Sequence, residues 1–421
     1  MWFDEPELER GGYQFFLFQE NTPCWVDSFA AALEGGYPKL PSAPPEVLEN
    51  LRNCQPHLIQ DRAWVLMYYS MVLSQVSNKD SDRHSIKKKL RRNIWLTLHD
   101  ARLLLEPSEL HITALTLLAC NAEEFTTPSL CWMLAATACR MLQALGINQK
   151  RLDPETRQRR KMMFWHLNLL DKGLSIIFGR PPTFHRAMAK EIGMPSLEQL
   201  MASQPRGMSS GAPRLFGTHY FHQRLLLTQV MGDVWNCLYE DAEPDVQRIE
   251  RVSRDVDGWY QRARTVLDAS AISEKPFLEP AGAASIDIAL HCLDFLHHYI
   301  QVMLYRAYPG TRSNCVMSSK AMLRVLEHLV SDGDEPYMLS VWQLLCCPFT
   351  PFLELFSEIL SNGQGASEGN QETLATMQLL LTYLHTMSPS HTLATKLERI
   401  AEVFVRQAEA VIDPQAIKSI Y

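Results

Sequence analysis

With 421 residues, of which 46% are hydrophobic and 21% charged, the chain can bury a large core. Its formal net charge of −7 is mild, which argues against general electrostatic binding to nucleic acid or to an anionic membrane. The ten cysteines include no C-x-x-C pair and indicate buried thiols in a reducing compartment. No signal peptide and no membrane-spanning apolar run is expected, which leaves the cytoplasm or the nucleus.

Residues 1–45 combine aromatic side chains with prolines, so we expect an irregular segment with a short helix lying on the core. Apolar residues then recur at three- and four-residue spacing, which predicts helices over 45–54, 59–76, 81–105, 108–120 and 127–145. In the third of these, the apolar stripe continues from Ile86 to Leu105. The last two are separated by a short acidic turn and are expected to form a helical hairpin.

The stretch 153–182 contains a complete helix with signals at both ends. Asp153 can cap the start, and Pro154 takes the first helical position, where its missing N–H costs nothing. Gly179 can adopt the left-handed conformation that ends a helix, and Pro181 and Pro182 prevent its continuation. We therefore predict a helix that begins at Pro154 and ends just before Gly179.

One charged residue lies beside the apolar face of this helix. The face is formed by Phe164, Leu167, Leu170, Leu174 and Phe178. Asp171 falls next to it, and a carboxylate near a core needs a partner. Arg180 or Lys172 could supply the positive charge.

The remainder of the chain continues the helical pattern. A short helix is predicted from residue 195, and longer ones over 216–241, 245–268, 281–308, 315–330, 337–361, 371–387 and 390–412. Pro348 and Pro351 should kink or split the element at 337–361. Residues 203–215 and 362–370 are rich in Ser, Gly and Pro or Asn and should be flexible loops. Because no segment alternates with period two, the predicted fold class is all-α, a multi-helical and loosely solenoidal array with little or no sheet.

A specific pattern of residues runs through the helix at 154–178 and just beyond it. Its members are Arg157, Arg159, Arg160, Phe164, Trp165, Asp171, Lys172, Leu174, Gly179, Arg180 and Pro181. This pattern resembles the central signature of the fungal-specific transcription factor domain, the middle homology region of fungal zinc-cluster regulators. The preceding segment, with Trp132 and Ala138-Cys139-Arg140, is similar to that family too. The clear resemblance covers about residues 85–200.

The resemblance implies a regulatory domain and no enzyme. We expect 46–202 to be a helical core carrying the signature, 216–412 to be the second helical part of the same domain, and 413–421 to be a tail. The implied location is the nucleus, and the implied role is control of transcription, with a secondary-metabolite gene cluster as the expected target. The implied partners are DNA, directly or through a zinc-cluster protein, the transcription machinery or other regulators, a small-molecule effector, and a second copy.

The family usually carries six closely spaced cysteines that bind two zinc ions, and the ten cysteines here do not reproduce that spacing. No cofactor is therefore expected in this chain. With no reading head in these 421 residues, we expect the chain to act through a DNA-bound partner or through weak contacts of its own.

Two basic clusters allow alternative interpretations. The first comprises Lys87, Lys88, Lys89, Arg91 and Arg92, together with Arg83. A solvated helix face is favoured for it, and a nuclear import signal is the alternative. The second spans 157–161 near a helix start, where cations oppose the helix dipole. Internal pairing with carboxylates is favoured there, and a second import signal is the alternative.

Two other classes of function stay open. An all-α enzyme or small-molecule carrier would need His291, His298, Asp287 and Asp294 to face one cavity, with His297 to one side. An apolar pocket could be lined by Tyr299, Met303, Leu304, Trp342 and Phe349, although core packing is the stronger expectation. The G-x-S-x-G match at 207–211 lies between prolines and is interpreted as a linker. A protein-binding scaffold would show an exposed apolar patch.

Overall fold

The structure is a computed structural model, and it describes residues 14–35, 40–76, 83–120, 128–149, 151–203, 215–239, 246–329, 341–362, 368–389 and 391–413. In these ranges the regular structure is helical and contains no strand, which confirms the predicted all-α class. The cores of the two predicted flexible loops, the G-x-S-x-G match within the first of them, and nearly all of the predicted tail lie outside the described residues.

Contacts divide the chain into two compact units, and the division falls between Leu167 and Asn168. The first unit contains α1 (Thr22–Gly35), α2 (Pro45–Arg52), α3 (Arg62–Gln75), α4 (Arg83–Leu98), α5 (Arg102–Leu105), α6 (Glu109–Cys120), α7 (Pro128–Ala144) and the first part of α8 (Pro154–Phe178). The second contains the rest of α8, then α9 (Arg186–Ile192), α10 (Leu197–Ala202), α11 (Leu215–Tyr239), α12 (Val246–Glu274), α13 (Pro280–Tyr305), α14 (Arg312–Val325), α15 (Val341–Cys346), α16 (Phe349–Asn362), α17 (Glu368–Met387) and α18 (Thr392–Ile412).

The first unit is built around α3. Every residue from Ala63 to Leu73 is buried, as expected for a helix that is apolar on all sides. Asp61 caps its start, because its carboxylate accepts the Ala63 N–H at 3.0 Å. Helices α4 and α6 pack against it, and α7 packs against α6. The neighbours of α3 thus include the helix that carries the first basic cluster.

The predicted helix at 81–105 is wrong in one respect, because the chain breaks between α4 and α5. The Asp100 carboxylate accepts the Arg102 N–H at 3.1 Å and so starts a new helix. The new direction leaves Leu105, the last residue of the predicted apolar stripe, 77% exposed. A capping residue therefore outweighed the continuing apolar spacing.

In the second unit consecutive helices pack in pairs, from α11 with α12 to α17 with α18. Helix α13 is buried almost continuously from Cys292 to Leu304. The predicted break at Pro348 is observed, since α15 ends at Cys346 and α16 begins at Phe349.

The expectation that no apolar run could span a membrane needs correction. By length and composition alone, Gln343–Asn362 is apolar enough to cross one. Packing in the protein core explains the apolar composition of this stretch without a membrane. Phe352, Leu355 and Ile359 are buried in the core, and Glu358 is bound to Arg312 at 3.0 Å. The exposed large apolar residues in this stretch are Leu353 and Leu360.

Candidate functional site

The signature helix α8 has the bounds that its end signals predict. Asp153 accepts the Thr156 N–H at 2.9 Å, and this bond lowers the pKa of the Asp153 carboxyl. At the other end Gly179 has φ +60°, and the Arg180 N–H donates to the Ser175 carbonyl at 3.1 Å. That bond is the one expected of a Schellman motif, in which a left-handed residue turns the chain out of the helix.

Gly179→Ala should lower the free energy of unfolding by about 1–2 kcal/mol, because an L-residue is strained in the left-handed region. The added Cβ would lie 3.5 Å from the Tyr239 hydroxyl, an ordinary contact, so the cost comes from the backbone. Gly232→Ala is the matched control. Gly232 is helical with open space around it, so alanine should stabilise by up to about 1 kcal/mol. Urea unfolding measures both, and equal shifts for the two variants would contradict the prediction.

Beyond Gly179, the chain returns to the helix and is held there by the two neighbouring charged residues of the signature. Asp171 is 2% exposed, and its two carboxylate oxygens accept the N–H groups of Thr183 at 2.9 Å and Phe184 at 3.0 Å. Lys172, also buried, donates from Nζ to the Phe184 carbonyl at 2.9 Å. We call these three hydrogen bonds the Asp-Lys clamp.

Of the two predicted partners of Asp171, Lys172 is confirmed as a nearby charge, whereas the backbone donors were not predicted. The direct hydrogen-bond donors to Asp171 are two backbone amides, and Lys172 contributes as a nearby charge. Arg180 is exposed on the turn, where its carbonyl accepts the Trp235 indole N–H at 3.1 Å. Burial is the largest influence and raises the pKa of Asp171, against the opposing effect of the amides and Lys172. The clamp thus holds a charged residue where the charge is costly without its partners.

The aromatic pair of the signature lies in the core of the first unit. Phe164 and Trp165 are both fully buried, with ring centroids 5.3 Å apart and planes at 82°. This edge-to-face geometry is a favourable one for two aromatic rings. The pair therefore anchors the first part of α8.

The basic cluster at 157–161 makes internal contacts. Glu109, at the start of α6, accepts from Arg160 Nε at 2.9 Å and from Arg159 Nε at 3.1 Å. Arg160 also donates to the Leu145 carbonyl, and Arg157 donates to the Leu152 carbonyl at 3.0 Å. The bond to Glu109 raises the pKa of Arg159. The carboxylate of Glu109 thus joins α6 to the two arginines of α8, and its place in a first helical turn also suits a negative charge.

The first basic cluster, for which a solvated helix face is the favoured interpretation and an import signal the alternative, is helical and only partly solvated. Lys87 is buried, Lys89, Arg91 and Arg92 are half-buried, and Lys88 is exposed. The Arg92 guanidinium lies 5.0 Å from the centroid of the Phe16 ring.

The backbone of Phe16 forms two hydrogen bonds with the side chain of Asn93, which follows Arg92 on α4. Its N–H donates to Asn93 Oδ1 at 2.8 Å, and its carbonyl accepts from Asn93 Nδ2 at 2.9 Å. Part of this basic face is therefore used to hold the segment around Phe16.

The residues of the enzyme alternative lie along α13, where most of them contact a residue of another element, and His291 Nδ1 also lies 3.8 Å from Asp294 Oδ2. Asp287 binds Lys275, and the His291 ring stacks on His328 with centroids 4.4 Å apart. Further along, Asp294 accepts from the Tyr260 hydroxyl at 2.7 Å.

One turn further along α13, His297 contacts a residue of α12. His297 Nε2 lies 2.8 Å from Asp257. Among the described residues no group of three or more His, Cys, Asp or Glu could hold a metal ion. The described cysteines form no disulfide, and of the six that are buried five lie within helices and Cys347 lies in the turn after α15.

The suggested pocket residues are accounted for by packing. Tyr299, Met303 and Leu304 are buried in the core of the second unit, and Phe349 packs against it. The side chain of Trp342 lies outside the described residues.

Acidification should destabilise the protein through His298. Burial lowers its pKa from 6.5 to about 4, while the unfolded chain takes up a proton near pH 6.5. Stability is therefore full above pH 6.5 and is lost as the pH falls towards 4. We expect a loss of about 2 kcal/mol, less than the full linkage value because the ring is partly exposed.

Urea unfolding at pH 7 and pH 4.5 measures this effect, with His298→Gln as the comparison. The variant should lose less stability on acidification than the parent. The raised pKa of Asp171 acts in the opposite direction in both proteins, so it cancels in the comparison. Equal pH dependence in the two proteins would sink the assignment to His298.

Three residues outside the predicted set complete the contacts of the signature and the basic cluster: Glu109, Phe184 and Asn93. Weak signals for two of them exist in the sequence. Phe184 is an apolar residue directly after a turn that must fold back, and Asn93 is a polar residue inside an apolar helical stripe. The role of Glu109 has no local signal, because its arginines are fifty residues away.

Comparison with known proteins connects this arrangement to a family. Residues 37–269, more than half of the chain, match the model of the fungal specific transcription factor domain. A transcriptional regulator of Claviceps purpurea (strain 20.1) is 38% identical over 408 residues, which cover 96% of this chain and 66% of the relative. No solved structure matches.

Two other relatives are more distant. An uncharacterized transcriptional regulatory protein of Schizosaccharomyces pombe is 23% identical over 83% of this chain and 57% of its own length. An ABC-transporter-regulating transcription factor of Aspergillus oryzae is 21% identical over 86% of this chain and 41% of its own. The chain thus spans about two thirds or less of the length of the curated relatives it matches.

Proposed function

This chain belongs to the fungal specific transcription factor domain family, and from that premise we propose that it controls the transcription of a defined set of genes in the nucleus. The observation that carries the proposal is the match over residues 37–269, in which the whole signature helix lies. The family consists of regulators, not enzymes. Along α13, Asp287, Asp294 and His297 each contact a partner on another element, which favours structural pairing over a catalytic cluster.

We propose further that the chain reaches DNA through a partner that supplies the reading head. Support comes from the cysteines, whose spacing in residues 1–421 lacks the six-cysteine pattern. The mild net charge of −7 also disfavours strong direct binding to DNA. As the target we propose a compact group of genes for one secondary-metabolite pathway.

Deletion of the gene, followed by RNA profiling under conditions where it is expressed, tests the role. We expect a coordinated loss or gain of a compact gene set, restored when the wild-type gene is returned. The sign of the change separates an activator from a repressor. Unchanged transcripts together with a missing or accumulating metabolite would overturn the regulator and favour the enzyme alternative.

Chromatin immunoprecipitation with an epitope-tagged chain tests the route to DNA. The tagged protein should be found at the promoters of the genes that respond to its deletion, and purified chain should not shift those promoter fragments at 150 mM salt, an ionic strength of about the physiological value. Tight, sequence-specific binding by the purified chain alone would contradict the need for a partner, while leaving the regulatory role intact.

Nuclear location and the import signal are tested together with a fluorescent fusion. We propose that the fusion accumulates in the nucleus and that Lys88→Ala with Lys89→Ala reduces this, since Lys88 is exposed and Lys89 half-buried on α4. Arg251→Ala with Arg254→Ala, two exposed cations of α12, is the control. Nuclear signal unaffected by either pair would remove the import role of α4 but keep the nuclear location.

A further inference from the structure

Two helices of the second unit, α16 and α18, expose apolar side chains beside one another. Leu353 and Leu360 of α16 are 41% and 50% exposed, and Ile400 and Val403 of α18 are 47% and 53% exposed. Isolated exposed apolar residues are common on proteins, whereas neighbouring ones on paired helices need an explanation.

The aromatic residues between the helices show that the exposed residues lie on one surface. The rings of Phe356 and Phe404 meet edge to face at 5.0 Å, and Phe404 also contacts Phe352 at 6.2 Å. Leu353 and Leu360 lie three residues before and four residues after Phe356, on the same side of α16.

On α18, Ile400 lies four residues before Phe404, and Val403 lies three residues after Ile400 on the same side of the helix. The exposed residues of both helices therefore flank a shared aromatic floor. We call this feature the α16–α18 groove.

On each of the two helices, the face that is buried in the core is different from the face that borders the groove. On α18 the buried residues are Ala394, Ala401, Val405, Ala408 and Ile412, which form a continuous stripe. On α16 they are Pro351, Phe352, Leu355 and Ile359. The groove is thus additional apolar surface beyond what the core of this unit uses.

The charges around the groove are sorted by sign. The carboxylates of α16, Glu354 and Glu358, lie near Arg312 of α14, with Glu358 at 3.0 Å from it. Those of α18 turn towards α17, where Glu398 binds His385 at 2.8 Å and Glu409 accepts from Gln378 at 3.4 Å. Apart from Glu402, the acidic residues named on the two helices are therefore directed to other helices.

The exposed cations of α18 remain on the side of the groove. Lys396 and Arg399 are each one turn before an exposed apolar residue, Ile400 and Val403 respectively. No ion pair joins Lys396 or Arg399 to another of the described residues. Arg406, one turn after Glu402, pairs with it at 3.6 Å. The edge of the groove along α18 is thus basic.

We propose that the α16–α18 groove binds an amphipathic helix of a partner protein, with an apolar stripe facing the groove and acidic residues along its flank. Helix-in-groove recognition uses anchors three, four and seven residues apart, a spacing that Leu353, the half-buried Phe356 and Leu360 of α16 also follow. The unpaired cations of α18 select acidic flanks, because complementary charge at the rim favours encounter and disfavours basic partners. The 14 residues of α16 make it about 21 Å long, so a partner helix of three to four turns fits.

Fluorescence anisotropy with the full chain tests the proposal. The probe is a labelled synthetic helix of about 16 residues, with leucines at three- and four-residue spacing and glutamates on both flanks. The comparison peptide has lysine in place of each glutamate. We expect the acidic peptide to bind with a Kd on the order of 10 µM, more weakly as salt rises, and the basic peptide to bind at least about tenfold more weakly.

Two groove variants and two matched control variants test whether the peptide binds at the α16–α18 groove. Val403→Asp should weaken binding of the acidic peptide by at least about tenfold, and Lys396→Glu with Arg399→Glu by about five- to tenfold. Because these side chains are exposed, both proteins should keep their fold, which far-UV circular dichroism checks. Ile272→Asp and Arg251→Glu with Arg254→Glu, exposed positions on α12, should leave binding unchanged.

Three outcomes would overturn the proposal. The acidic peptide does not bind, or it binds no better than the basic one. The control variants weaken binding as much as the groove variants do. Sedimentation shows that the chain dimerises through Val403 without any peptide, in which case the groove holds a second copy instead of a partner helix.

Discussion

Asp171→Ala should lower the free energy of unfolding by about 3–5 kcal/mol, the range for breaking a buried pair from one side. The substitution leaves the Thr183 and Phe184 N–H groups without their acceptor inside the protein. It also removes the negative charge that acts on the buried Lys172. Each buried group that loses its partner costs about 1–3 kcal/mol. Urea unfolding followed by far-UV circular dichroism measures the change.

Two comparison variants separate the charge from the hydrogen bonds. Asp171→Asn keeps one carbonyl acceptor but turns an NH2 group towards the other amide, so its loss should be smaller, about 1–3 kcal/mol. Lys172→Met removes the opposite charge, and combining it with Asp171→Ala should cost less than the sum of the two single changes. A fully additive double variant, or an Asp171→Ala protein within about 0.5 kcal/mol of the parent, would contradict the clamp.

Trp165→Ala should also destabilise the protein by about 3–5 kcal/mol. The indole is fully buried and packs edge to face on Phe164, so alanine removes a large apolar volume and leaves a cavity. Trp165→Phe should cost less, because the ring contact is partly kept. Far-UV circular dichroism is the suitable probe, since the substitution removes a fluorophore.

Met133→Ala is the control for the aromatic core. Met133 is an exposed apolar residue of the same unit, so its loss should change stability by no more than about 0.5 kcal/mol. A Trp165→Ala protein as stable as Met133→Ala would show that the signature tryptophan is not a core residue.

Local signals in the sequence predicted the ends of α8 well. A capping aspartate, a proline at the first position and a glycine before two prolines act within one turn, so no tertiary information is needed. The same is true of the break at Pro348. The break at Asp100 was missed although its signal is also local, because the apolar spacing continued through it.

Contacts between residues far apart in the chain could not be predicted from the sequence alone. The partners of Asp171 are backbone amides twelve and thirteen residues away, and they arrive only after the turn at Gly179 folds back. Charge matching could suggest Lys172 or Arg180 but could not identify an N–H group, which every residue except proline carries. The sorting of charges around the α16–α18 groove likewise depends on which neighbours α14 and α17 provide.

The division between the two units inside α8 bears on how the gene can be cut or recombined. The obvious cutting place is the Ser- and Gly-rich stretch around residue 208, yet residues 168–202 belong with the part that follows it. A fragment that starts after this stretch lacks Asn168, the buried partner of Thr228 at 3.0 Å, and the Arg180 carbonyl that receives the Trp235 N–H. Chimeras with relatives joined at that stretch would combine mismatched halves of one unit. Chimeras joined near residue 167 would keep each set of partners from a single parent.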